Sequence, residues 1–350
     1  MAIVNVRSAD MTSLMRNETL EIPARVTNLL NEKQAEKQHV LRTLKNTRPP
    51  LVISFARGSS DHAATLAHHL LKARYGVWSF SCPPSQFQLG AKKLDLSRAI
   101  AFAVSQSGQS TDILNCIDMA SQRGASTLAF VNAPIAPLRD RALCTWNIDA
   151  GLEQSVAATK SFVCSVVALL DFASKWQKDE PLQRGLDGLP DQLATALSLD
   201  WTAAITPLVP AHALLLISRG EMMGGLDEAA LKLKETCGLH ATAYSAAELK
   251  HGPLALIGRK TPAWVVAPPG PHQSELVQLA SELRAMGGHV TLFTDTYESK
   301  DHVDFNVTSE VYLDVLTWVT AFYVFAEKLA VARGLNPDTP PHLRKITITT

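Results

Sequence analysis

The feature that most constrains this chain is a rhythm that occurs twice: short β-rich runs separated by stretches long enough for a helix. The first series reads LVISFA (51–56), VWSFS (77–81), AIAFAV (99–104) and STLAFV (126–131). The second follows a helical stretch from about Thr159 to Leu197 and reads ALLLIS (213–218), AWVVAP (263–268), HVTLFT (289–294) and FNVT (305–308). Such alternation predicts βαβ units and parallel sheets. The halves also resemble each other. SFARGSSDHAATLAHHLL matches LISRGEMMGGLDEAALKLKE, which sets Arg57-Gly58 and Arg219-Gly220 in equivalent places 162 positions apart. A chain of 350 residues has room for two such units. The expected fold class is α/β, with two doubly wound, flavodoxin-like parallel-sheet lobes in tandem. A helical arm over 1–48 precedes a first lobe over 49–197, a second over 198–335 and a tail over 336–350.

Charge narrows the partners. Lys and Arg total 33 and Asp and Glu total 33, so there is no basic field for nucleic acid. The opening MAIVNVRSAD lacks the regions of a signal peptide, and no uninterrupted apolar run reaches the ~18 residues that span a bilayer. No membrane partner is expected, and the cytoplasm is the expected location. Cys82, Cys116, Cys144, Cys164 and Cys237 are scattered without metal-ligand spacing, which predicts reduced, mostly buried thiols and no metal site.

In open α/β sheets, ligands sit beyond the carboxyl ends of strands, where loops lead into helix N-termini. Ser59, Ser60 and the run Ser105-Gln106-Ser107-Gly108-Gln109-Ser110-Thr111 occupy such places. One serine would suffice to cap the following helix. Three serines, two glutamines, a threonine and a permissive glycine within seven residues form the parts of a phosphate cradle. The pattern is neither GxxxxGK[ST] nor GxGxxG, so a compact phosphomonoester fits better than a nucleotide. The matching loop of the second half, APPGPHQSE, has lost donors to proline. A single phosphate site per chain, in the first lobe, is therefore expected.

Acid–base groups concentrate in GLDEAALKLKETCGLHATAYSAAELKHGPLALI, from Gly225 to Ile257. Leu226, Ala230, Leu231 and Leu233 can form a packed helix side, while Glu228, Lys232 and Glu235 lie within i+3 or i+4 steps of one another. Read alone, this trio is an ordinary solvated face, and His251 before Gly252-Pro253 a helix-end cation. The tail runs through Pro337, Pro340 and Pro341 into His342-Leu343-Arg344-Lys345 and the β-like ITITT, an ending that suggests packing back onto the body.

Together these segments resemble the sugar isomerase (SIS) family, and within it the isomerase half of glutamine–fructose-6-phosphate aminotransferase. The motifs are ARGSSDHAA, SQSGQSTD, VAATKSF, ALKLKE, AELKHGPLALI and DTPPHLRK, spread over nearly the whole chain. The resemblance implies a homodimer with shared sites and no organic or metal cofactor. It implies Ser60, Ser105, Gln106, Ser107 and Ser110 as phosphate ligands, and sugar contacts at Val156 and at Ala158, where the family usually has serine. It further implies Glu235 as the carboxylate moving a proton between C1 and C2, His251 as the ring-opening residue donated by a neighbouring subunit, and Lys345 as the tail lysine that can form an imine. Arg57 and Gln109 also depart from the family's pattern. Ala2 stands where the aminotransferase has a cysteine nucleophile, so no glutaminase domain is expected. The expectation is a glutamine-independent deaminase acting on an amino-sugar 6-phosphate, most simply glucosamine 6-phosphate. Alternatives are a galactosamine-6-phosphate deaminase, a fructosamine-6-phosphate deglycase, another phosphosugar isomerase, or a non-catalytic phosphosugar sensor.

Overall fold

The computed structural model describes residues 12–44, 49–90, 93–258, 260–295, 302–304 and 307–345. It opens with three helices, α1 (Leu14–Leu20), α2 (Ile22–Asn31) and α3 (Gln34–Thr43), within the stretch expected to form a helical arm. The first lobe follows: β1 (Leu51–Phe55), α4 (Ser59–Ala73), β2 (Trp78–Ser81), α5 (Pro84–Gly90), β3 (Ala99–Ser105), α6 (Thr111–Gln122), β4 (Ser126–Val131), α7 (Pro137–Arg141) and β5 (Cys144–Asn147). Two long helices, α8 (Lys160–Gln177) and α9 (Glu180–Ala196), lead into the second lobe. That lobe contains β6 (Ala213–Ser218), α10 (Met223–Cys237), β7 (His240–Ser245), α11 (Ala246–Leu249), β8 (Ala263–Val266), α12 (Gln273–Ala285), β9 (Val290–Thr294), β10 (His302–Asp304) and α13 (Val311–Ala332).

Both five-stranded sheets are parallel throughout, in the orders β2-β1-β3-β4-β5 and β10-β9-β8-β6-β7. Read from its other edge, the second sheet has the connectivity of the first, so the two lobes are repeats, as the Arg-Gly match predicted. Central strands carry the apolar runs because helices cover both their faces; every residue of β3 is buried. The edge strands β5 (CTWN) and β7 (HATAYS) had no such run and were not expected. The expected strand FNVT is corrected. The fifth strand of the second sheet is His302–Asp304, paired with β9, and Val307 and Thr308 lie outside it. Phe305, Asn306 and the terminal ITITT lie outside the described residues.

A shared helical layer lies between the two sheets. Helices α4, α8, α9, α10 and α13 pack into one core with the inner faces of both, while α5–α6 and α11–α12 cover the outer faces. Helices apolar all round must be buried. Accordingly, α8 is buried at every position from Lys160 to Ser174. The 22-residue α13 is long and apolar enough to cross a membrane, yet most of it is enclosed by protein. Trp264, Phe293, Trp318 and Phe325 pack it onto the second sheet. Burying one such indole contributes roughly 5 kcal/mol before entropy is counted. Gly224 lets α10 cross the layer against α4, because a Cβ there would sit 2.9 Å from the His62 carbonyl oxygen. All five cysteines are free and four are buried, as expected.

Candidate active site

The cleft opens where the carboxyl ends of β1 and β3 meet the C-terminal half of α10. It encloses about 230 Å³, lined by Arg57, Ser60 and Gln106 at one end and by Lys232, Glu235, Glu153 and Lys345 elsewhere. The loop after β3 makes its turn at Gly108, whose φ of +64° suits glycine; a Cβ there would lie 2.7 Å from Ala136 Cβ. Ser105 Oγ accepts from the Gly108 N–H at 2.9 Å and so holds the loop's own shape. Ser107 Oγ accepts from the Gln109 N–H at 3.3 Å. Ser110 occupies the N-cap of α6 without using its hydroxyl as a cap, against the plain capping reading of this run. Of the expected phosphate ligands, Ser60 at the start of α4 and Gln106 after β3 line the cleft; Ser105, Ser107 and Ser110, in the same loop as Gln106, are not among its lining residues.

The trio on α10 is not a solvated face. Glu228 and Lys232 are completely buried against α4, and Glu235 is partly exposed in the cleft. Glu228 accepts from the Ser59 and Tyr323 hydroxyls, both at 3.1 Å, and its other oxygen meets His62 Nδ1 at 3.1 Å. Lys232 Nζ donates to Ser59 Oγ at 3.2 Å and pairs with Glu228 Oε1 at 3.5 Å and Glu235 Oε2 at 2.5 Å. Burial alone would depress this lysine, but the two glutamates outweigh it and hold the ammonium above its ordinary value. Ser59 is thereby committed to the α10 network, which separates it from Ser60. The Lys232–Glu235 contact is an ion pair rather than an aligned hydrogen bond. It ties one carboxylate oxygen of Glu235 to the ammonium and so orients the group.

At the far wall Lys345 Nζ donates to Glu153 Oε2 and to the Ser155 carbonyl, each at 2.8 Å. Glu153 was not singled out in the sequence. Its carboxylate is wholly buried and accepts from Thr159 N (2.9 Å), Ser161 N (3.1 Å) and Ser161 Oγ (2.6 Å). Burial pushes its carboxyl up, but Lys345 and these donors prevail and hold it below its ordinary value. The loop bearing Glu153, Val156 and Ala158 is itself fixed by the arm and tail. Glu18 of α1 accepts from the Gln154 and Ser155 N–H groups, and the Val156 N–H donates to the Asp338 carbonyl at 3.4 Å. Asp338 in turn caps α1 through the Leu14 and Met15 N–H groups at 2.9 and 2.8 Å.

Val156 and Ala158 line the cleft, and His251, expected from a neighbouring subunit, does not line the cleft of its own chain. It is exposed just after α11, outside its own chain's cleft. Glu153 could have been found in advance only as an acidic residue in an otherwise uncharged stretch, since its partner lies 192 positions away. Among the described residues no cluster of His, Cys, Asp or Glu is arranged to hold a metal ion.

Two doubly wound repeats with a hydroxyl-rich loop beside a carboxylate and a lysine define a two-lobed α/β protein with a polar cleft. The SIS domain pattern matches residues 48–175 and 209–301, and the chain belongs to that family. It is 30% identical to glutamine–fructose-6-phosphate aminotransferase (isomerizing) of Methanothermobacter thermautotrophicus, over 97% of this chain and 59% of that protein. A solved Silicibacter pomeroyi DSS-3 protein, provisionally classed as a phosphosugar isomerase, is 34% identical with a TM-score of 0.87, covering 93% of this chain and all of that one. The fold also matches glucosamine-6-phosphate deaminase of Thermotoga maritima, at 22% identity and a TM-score of 0.72, over 95% of this chain and all of that one. The chain spans a little over half the length of the aminotransferases it matches.

Proposed function

We propose that the chain converts an amino-sugar 6-phosphate to a ketose phosphate and ammonia, with glucosamine 6-phosphate and water giving fructose 6-phosphate. The observation that carries this reading is the placement of the Glu235 carboxylate and the Lys345 ammonium in one cleft, with the Ser60 and Gln106 cradle at its end. A phosphate held there supplies binding energy remote from C1 and C2 and positions the reacting carbons. Glu235 takes the C2 proton of the open-chain aldose and returns it to C1, which leaves a ketimine at C2. Water adds to that carbon and ammonia departs. Lys345, one quarter exposed, is the ammonium placed to hold the open chain by donating to its oxygen. The exposed His251 is available to a second copy of the chain, so that ring opening would be shared across a homodimer. Solvent reaches both Glu235 and Lys345, which favours water as the final acceptor.

The test is release of ammonia and fructose 6-phosphate from purified protein given glucosamine 6-phosphate, with galactosamine 6-phosphate and glutamine plus fructose 6-phosphate alongside. Equal release of both products from the first substrate supports the deaminase. Turnover of another phosphosugar alone moves the specificity, and binding without turnover of any refutes the enzyme.

A further inference from the structure

Three cations line the cleft: Arg57, Lys232 and Lys345. Lys232 is buried and committed to Glu228, Glu235 and Ser59, and Lys345 is held by Glu153 at the reacting end. The cradle itself consists of neutral hydroxyl, amide and backbone donors. A phosphomonoester brings a charge of about −1.5 to −2 at neutral pH. Arg57 is the cation at the cradle end, half exposed, on the loop between β1 and α4.

Its aim is set by Asp112 in the first turn of α6. Arg57 Nε and Nη2 donate to Asp112 Oδ2 at 3.1 and 2.8 Å, which leaves Nη1 without a protein partner among the described residues. Asp112 is nearly buried, and its other oxygen accepts from the Ile113 N–H at 2.9 Å. The second lobe repeats the brace. Arg219, the counterpart of Arg57, donates to Glu275 Oε2 at 2.5 Å, in the first turn of α12. There the adjoining loop is rich in proline and poor in hydroxyls. The brace is thus common to both lobes; in the first, the braced arginine lines the cleft together with Ser60 and Gln106. We infer that Arg57 is a specificity-determining residue that reads the charge of the substrate's phosphate dianion. This rests on the cradle being the phosphate end of the site, and not on the deamination.

Titration calorimetry with glucosamine 6-phosphate and fructose 6-phosphate, on the full chain and on Arg57→Gln, Arg57→Lys and Arg219→Gln, tests it. Arg57→Gln should weaken both ligands by about tenfold or more, the range expected for a partly solvated charge-assisted hydrogen bond. Their affinity should also lose much of its dependence on ionic strength. Arg57→Lys should recover part of the loss, and Arg219→Gln should bind within twofold of the parent. Affinities within twofold for Arg57→Gln, or an equal loss in Arg219→Gln, overturn the inference and leave Arg57 a brace only. Thermal unfolding of each variant separates lost binding from lost folding. Arg57-dependent binding without ammonia release sustains this inference while the deaminase reading fails. A parent chain that binds no phosphosugar overturns both.

Discussion

Replacing Glu153 by Gln is the sharpest probe of how the tail lysine is held. The amide is isosteric and its oxygen can keep the Thr159 and Ser161 N–H donors. What it cannot supply is the second carboxylate oxygen that accepts from Lys345 at 2.8 Å and from Ser161 Oγ at 2.6 Å. A hydrogen bond to a charged group is worth about 1.5–3 kcal/mol net. Two effects reduce that loss: Lys345 is one quarter exposed and regains some hydration, and the variant no longer buries a carboxylate. The expected destabilisation is about 2 kcal/mol at pH 7, read from urea unfolding, with turnover lowered as Lys345 loses its position. The pH dependence follows in sign. Because the folded protein holds the Glu153 carboxyl below its ordinary 4.5, its contribution is complete above that value and is lost as pH falls through the folded value. The gap between parent and variant should therefore narrow below about pH 4.5. A gap that is absent at pH 7, or constant down to pH 3, would refute the reasoning.

Three further substitutions probe the rest of the site. Glu235→Gln should lower turnover by about 10³-fold while phosphosugar affinity changes only a few-fold, and substantial residual turnover would remove Glu235 as the proton carrier. Gly108→Ala forces a left-handed residue and brings its Cβ to 2.7 Å from Ala136 Cβ and 2.9 Å from Val131 Cγ2. It should cost about 2–4 kcal/mol in denaturant unfolding and raise KM; a neutral result would show that the cradle turn has room to shift. Asp338→Ala removes the acceptors of the Leu14 and Met15 N–H groups while Ser13 still caps the Arg16 N–H, and should cost about 1–2 kcal/mol; unchanged stability would mean that the tail does not brace the arm.

Much of the fold was legible because parallel strands covered on both faces need mainly apolar residues, and β1, β3, β4, β6, β8 and β9 have them. The edge strands escaped for the complementary reason. β7 carries a terminal His and a Tyr on partly exposed positions, and β5 is only four residues long. The cradle was legible because its chemistry is local: the turn glycine and its donors lie within seven consecutive residues. The reading of Glu228, Lys232 and Glu235 as a possible solvated face shows the limit of local pattern. Their spacing is that of any charged helix, and it is the close crossing of α4 that buries two of them.

By itself, then, the sequence determined two parallel α/β repeats, the position of the hydroxyl loop and its loss in the second repeat, since each is written in residues within one turn or one strand of one another. Only the tertiary structure decided which charges face one another. Lys345 meets Glu153 across 192 positions, Ser59 meets Glu228 across 169, and Asp338 caps a helix 324 positions earlier. Buried charges require partners, but the requirement does not say which distant residue supplies them; that is set by how the two sheets share one layer of helices.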